Sequence, residues 1–154
     1  MQNQTKKILF VALMAPLCMF GKEVDIYSSP FCGCCIKWGD YLQNNGYKVT
    51  HHKNDDFMAI KEKYKIAPQN QSCHTGVIEG YAVEGHVPLS AINWLLENKP
   101  KDVVGISTPG MPIGSPGMEQ GNTKEEYPVV LLYKNGDSKT FAIYKGDELI
   151  KQVF

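Results

Sequence analysis

The chain's 154 residues suit one domain with a modest core rather than two independent ones. Hydrophobic residues make up 43% and charged residues 21%, an ordinary globular balance that excludes wholesale disorder. Sixteen basic and sixteen acidic side chains cancel, and no run of basic residues exceeds two, so neither a nucleic acid nor an anionic membrane surface is an expected partner.

Residues 1–7 are polar and end in Lys6 and Lys7, residues 8–20 carry no charge, and Gly21-Lys22-Glu23 returns to polar sequence. This is the charged start and apolar stretch of a secretory signal. The apolar run is shorter than the about 20 residues of a membrane span. The expected organisation is therefore a signal peptide over residues 1–21 and a single domain over residues 22–154. Membrane association would come only through an uncleaved signal. Cys18 offers a lipid attachment point, but Leu17 before it is bulky for that role.

Residues 24–27 alternate and predict a first strand, closed by Ser28-Ser29-Pro30. A helix follows over residues 34–45, with Ile36, Trp38, Tyr41 and Leu42 on one stripe and Gly46 ending it. Residues 47–51 form a second strand. Asp55 or Asp56 can cap a second helix reaching Tyr64, with Phe57, Met58, Ile60 and Tyr64 as its apolar side. Two short strands, 75–78 and 81–84, join at Glu79-Gly80, and Pro88 opens a third helix that ends before Pro100. Residues 105–121 are rich in glycine and proline, hold Pro-Gly-Met twice, and read as a functional loop. Residues 129–133 and 140–144 pair as a hairpin across Asn135-Gly136.

The order is β-α-β-α-β-β-α, an α/β class, with Cys32-Gly33-Cys34-Cys35 between the first strand and first helix. That order and placement resemble the thioredoxin-like fold, extended by a Gly/Pro-rich loop and a C-terminal β-hairpin. Pro68 occupies the place where such folds often carry a cis proline.

Of five cysteines, Cys18 lies in the signal, leaving Cys32, Cys34, Cys35 and Cys73. A Cys34–Cys35 bridge would be badly strained, and a Cys32–Cys35 bridge closes too small a loop to stabilise much, so chemistry outweighs stapling. A thiol at a helix N-terminus meets unpaired N–H groups and the positive helix end, both of which favour thiolate. Cys32 and Cys35 have the spacing of a redox pair, which would make Cys32 a nucleophile and Cys35 its resolving partner. Cys34 adds a third sulfur that such exchange does not need. Three thiolates in one turn suit a soft cation, and Cys73 can supply a fourth. The spacings of structural zinc ribbons and of ferredoxins are absent, which leaves copper, as Cu(I), by elimination.

Four further donors have two readings each. His74 follows Cys73 and is either a ligand, or a partner behind one, or a plain strand-end histidine. His86 stands in Glu84-Gly85-His86-Val87-Pro88 with the same choice. Met111 and Met118 are thioether donors matched to Cu(I), or apolar plugs that hold the loop down. His51 and His52 are expected to be solvated, and Trp38 and Trp94 to be core.

Taken in order, Cys32-Gly33-Cys34-Cys35, Ser72-Cys73-His74-Thr75, Glu84-Gly85-His86-Val87-Pro88 and the stretch from Pro109-Gly110-Met111-Pro112 to Pro116-Gly117-Met118 resemble the family known as domain of unknown function 411. This family includes CopG-type copper-resistance proteins of Gram-negative bacteria. The likeness runs over residues 24–144. It implies a thioredoxin-like periplasmic domain with Cys32, Cys34, Cys35 and Cys73 as sulfur ligands. It also implies a multinuclear copper cluster, copper redox activity, and other periplasmic copper-handling proteins as partners. Thiol–disulfide exchange by Cys32 and Cys35 stands as the alternative function.

Overall fold

The computed structural model describes residues 21–53 and 56–153. Apart from Gly21, the expected signal segment lies outside the described residues, as does Asp55. The elements are β1 (Glu23–Ser28), α1 (Gly33–Asn44), β2 (Lys48–Lys53), α2 (Met58–Lys63), β3 (His74–Ile78), β4 (Tyr81–Glu84), α3 (Leu89–Asn98), β5 (Val103–Ser107), β6 (Glu126–Tyr133), β7 (Ser138–Lys145) and β8 (Glu148–Gln152).

All eight strands join one mixed sheet in the order β2-β1-β3-β4-β5-β6-β7-β8. The β1–β2 and β4–β5 pairs are parallel, and the other five are antiparallel. A parallel pair needs a long crossover, and α1 and α3 supply the two required. Side chains alternate across the sheet, so neighbours in one strand enter different cores. Val83, Val129 and Leu131 join Trp38, Leu42, Ile92 and Leu95 in the main core, whereas Ala82, Val130 and Leu132 join Ile66 in a smaller one on the other face.

Several details differ from expectation. Residues 103–107 form a central strand, where the sequence pattern predicts a loop beginning at Gly105. A Cβ at Gly105 would lie 2.3 Å from the Ala82 carbonyl oxygen, so this glycine lets two strands approach closely. A further strand, β8, pairs with β7; all of its residues are exposed, and it has no half-buried alternation to reveal it. Helix α2 buries neither Met58 nor Ile60 fully but does bury Lys61, which is 1% exposed and ion-paired with Glu84. Asp56 makes no side-chain cap on α2, and Pro68 opens a single 3-10 turn, with no cis peptide bond among the described residues.

Trp38 is fully buried and its indole N–H donates to the Val87 carbonyl at 3.1 Å, tying α1 to the segment before α3. Trp94 is only half-buried and packs on Phe141. His51 and His52 are half-buried rather than solvated, and His52 pairs with Asp25 at 2.7 Å. Among the described residues, no helix is long and apolar enough to cross a membrane.

Candidate metal centre

Strand β1 ends at Ser28, and the Ser29-Pro30 turn feeds α1, with the Ser29 carbonyl accepting from the Cys32 N–H at 3.3 Å. Cys32 is the N-cap residue, so Cys34 and Cys35 fall in the first helical turn. β3 runs antiparallel beside β1 with Ser28 opposite His74, which carries Cys73 up to the same edge. A chain separation of 38 residues between Cys35 and Cys73 is thus closed by one strand pairing.

The four sulfurs form a single group in which every ligand atom lies within 4.8 Å of the others. Cys32 Sγ and Cys34 Sγ are 3.5 Å apart, and Cys34 Sγ and Cys73 Sγ are 3.7 Å apart. Cys32 and Cys35 are joined as a disulfide. A metal would need both reduced, since thiolates are the ligands. Cys35 is fully buried, while Cys32, Cys34 and Cys73 are half-buried, so the cluster opens to solvent on one side. Phe31, directly before Cys32, is 95% exposed.

A second group shares Cys73 with the first: Cys73, His74 and His86, again within 4.8 Å of one another. Cys73 Sγ is 3.3 Å from His74 Nδ1 and 3.2 Å from His86 Nε2. On the far side of the ring, His86 Nδ1 lies 2.8 Å from the Pro116 carbonyl. A carbonyl can only accept, so Nδ1 carries the proton and Nε2 turns its lone pair toward Cys73. Outer partners of metal-binding histidines commonly fix the tautomer in this way. Burial lowers the pKa of His86, with the Pro116 carbonyl opposing it, and lowers that of His74 further, aided by His86 and Lys61. Both rings are neutral at pH 7, the state a metal requires. His74 Nε2 is buried without a hydrogen-bond partner among the described residues.

The thiol of Cys73 is pushed up to about 12, first by burial and then by Cys34 beside it. Without a cation the proton therefore stays on, and a soft cation would take its place. Four sulfurs and two imidazoles form a soft donor set, suited to Cu(I). The donors fit such an ion chemically.

Met111 and Met118 line a cleft of about 370 Å³ beside Cys34, together with Gly33, Lys37, Gly117, Glu119 and Gln120. The loop that carries them docks on α1 through Gly117, whose φ is +84° and whose added Cβ would lie 2.8 Å from the Trp38 backbone nitrogen and 3.1 Å from the Cys34 carbonyl oxygen. Gly117→Ala is expected to combine left-handed strain with overpacking and cost about 2–3 kcal/mol, measured by urea unfolding. Because Pro116 holds His86, a metal held in this pocket would be bound about 10–100-fold more weakly by the same variant, measured by competition with a chelator. A separate cavity, of about 440 Å³, among Lys101, Asp102, Tyr133, Lys134 and Asn135 contains none of these donors.

The structure thus brings Cys32, Cys34, Cys35, Cys73, His74 and His86 together and sets Met111 and Met118 at the adjoining cleft. Sequence reasoning missed Lys61, Glu84 and the Pro116 carbonyl. Glu84 and Pro116 do lie within motifs the sequence displays, Glu84-Gly85-His86-Val87-Pro88 and Pro116-Gly117-Met118, whereas Lys61 lies in none.

Fold and site together define a mixed α/β domain with a sulfur- and imidazole-rich pocket able to hold a metal. Residues 70–118 match the family described as protein of unknown function, DUF411. Two solved structures, forms 1 and 2 of copper resistance protein CopG, each share 43% identity with this chain and a TM-score of 0.75, over 80% of this chain and 98% of theirs. No curated protein sequence matches. The chain belongs to the DUF411/CopG-like family of copper resistance proteins. The matched segment 70–118 holds Cys73, His74, His86 and both methionines, while Cys32, Cys34 and Cys35 lie before it.

Proposed function

We propose that the protein is a periplasmic copper-binding protein that holds Cu(I) through Cys32, Cys34, Cys35 and Cys73 and serves copper resistance. The observation that carries this reading is the convergence of four sulfurs within 4.8 Å from segments far apart in the chain. Cys73 belongs to both donor groups, and a thiolate can bridge two soft ions, which favours a multinuclear site with His74 and His86 completing it. Met111 and Met118 would offer thioethers along the approach past Cys34. The β2-β1-β3-β4 order, with β1 and β2 parallel and the cysteines at the start of α1, supports a thioredoxin-like core. The apolar stretch of residues 8–20 supports export, and other copper-handling proteins of that compartment would be its partners.

The Cys32–Cys35 disulfide favours a second reading, a dithiol that cycles. Oxidation of the two thiols to the disulfide releases two electrons and two protons, enough to convert two Cu(II) to two Cu(I). With a disulfide substrate instead of copper, the same pair would be a thiol–disulfide oxidoreductase.

Anaerobic titration of the reduced protein with Cu(I) against a competing chelator, followed by elemental analysis, separates these readings. Retained copper in defined stoichiometry is expected. No retention, together with a Cys32–Cys35 disulfide that turns over with a dithiol, would sink the copper reading. Cys34→Ser is expected to lower the stoichiometry while circular dichroism stays unchanged, and an unaltered stoichiometry would remove Cys34 from the ligand set.

A further inference from the structure

Behind the metal-capable groups lies a buried ring of polar side chains that the chemistry above does not use. We propose that Lys61, Glu84 and Thr75 form a clamp that positions Cys73 and His74, so that these three are positioning residues of the site. The proposal rests on the metal-holding reading given above.

Lys61, Thr75 and Glu84 are all essentially inaccessible to solvent. The Lys61 ammonium donates to Glu84 Oε1 and, at 3.1 Å, to Thr75 Oγ1. The Thr75 hydroxyl in turn donates a hydrogen bond to Glu84 Oε2 at 2.6 Å. The backbone N–H of Ser72 completes the set, donating to Glu84 Oε1 at 2.6 Å. The carboxylate therefore grips the residue before Cys73 and the residue after His74. The backbone of Glu84 and its neighbour hold the same place, since Gly85 N–H donates to the His74 carbonyl at 3.0 Å and Thr108 N–H to the Glu84 carbonyl at 2.9 Å.

Residues 71–73 belong to no helix or strand, so no ladder fixes where Cys73 points. Ser72 N–H would be left without a partner if Glu84 were absent, and the clamp supplies one. A buried ion pair is a costly way to hold a fold, because apolar residues of similar volume commonly do as well or better. What an apolar pair cannot do is reach a backbone N–H and a hydroxyl on either side of two donor residues. The placement of the charges answers to the Cys73-His74 geometry more than to the anchoring of α2.

The test compares Lys61→Met/Glu84→Met, Thr75→Val and Thr75→Ser with the unaltered chain. Two quantities are read: Cu(I) affinity by chelator competition, and the rate of Cys73 alkylation by iodoacetamide in reduced, metal-free protein, followed by peptide mass spectrometry. The double variant is expected to fold and to melt close to the parent, yet to bind Cu(I) about 10–100-fold more weakly and to alkylate at Cys73 about tenfold faster through local opening. Thr75→Val should move both readouts the same way, and Thr75→Ser, which keeps the hydroxyl, should restore them. Should the double variant fail to fold, the Thr75 pair decides alone. Folded variants whose affinity and alkylation rate match the parent's would overturn the clamp. If the parent retains no Cu(I), the copper reading fails, and the alkylation rates still decide whether the clamp positions Cys73.

Discussion

Replacing Cys73 by serine is expected to weaken Cu(I) binding by more than about 100-fold, beyond the 10–100-fold that partners behind a ligand usually cost. Cys73 is the one residue common to both donor groups. Its sulfur lies 3.7 Å from Cys34 Sγ, 3.3 Å from His74 Nδ1 and 3.2 Å from His86 Nε2. Removal of that sulfur separates the helix-borne thiols from the imidazoles, whereas Cys32→Ser leaves three sulfurs and both rings in place. The expected order of damage is therefore Cys73→Ser above Cys32→Ser, read as the chelator concentration that strips half the copper. The pH dependence should change as well. With its pKa pushed up to about 12, the Cys73 thiol is protonated at any working pH and must release a proton when a cation binds. Each released proton raises apparent affinity about tenfold per pH unit as pH increases, so the variant's slope should be shallower by about one. A variant that keeps the parent's affinity and slope would show that Cys73 is not a ligand.

The contrast between what the residues foretold and what they hid follows from the kind of signal each carries. The cysteine turn was legible because local rules place it: an alternating strand, a Ser-Ser-Pro breaker, then a helical stripe ending at Gly46. The structure reproduces that arrangement, with β1, the turn and α1 in sequence. Cys73 was recognisable as a candidate by residue type alone, and only the β1–β3 pairing explains how it reaches the others. His86 was visible, but its tautomer depends on a carbonyl 30 residues away, contributed by a proline whose sequence gives no hint of that use. Glycine in a strand reads as a break, which concealed β5, and a wholly exposed strand has no period-two pattern, which concealed β8. Lys61 was the hardest to foresee. Helical spacing assigned Met58 and Ile60 to the buried side, yet Met58 is 41% exposed and the lysine is inside. A long-range ion pair overrode the apolar stripe there, and no rule confined to one segment could have predicted its partner on β4.

Lys61→Met should be the most damaging single change for stability, at about 3–5 kcal/mol, the range for breaking a buried pair by deleting one partner. Methionine fills much of the same space, so the loss is electrostatic more than steric. It strands the Glu84 carboxylate with only the Ser72 N–H and the Thr75 hydroxyl as donors. Against a total stability of about 5–15 kcal/mol for a domain, that is a large fraction. Thermal unfolding should fall by about 6–20 °C at the usual 2–4 °C per kcal/mol. The sign of the pH response identifies the cause. Burial already raises the Glu84 pKa, and Lys61 is the largest influence opposing it. Without the lysine that pKa rises further above its unfolded value of 4.5. The folded variant then binds more protons than the unfolded chain between those two values, so its stability increases as pH falls through that window and is lost as pH rises. Relative to the parent, Lys61→Met should thus be most destabilised at neutral pH and recover toward pH 5, as measured by urea unfolding at several pH values. Lys61→Met/Glu84→Met, which removes both charges, should show neither the deficit nor the recovery. A deficit in Lys61→Met that stays constant across pH would mean that lost packing, not the stranded carboxylate, sets the cost.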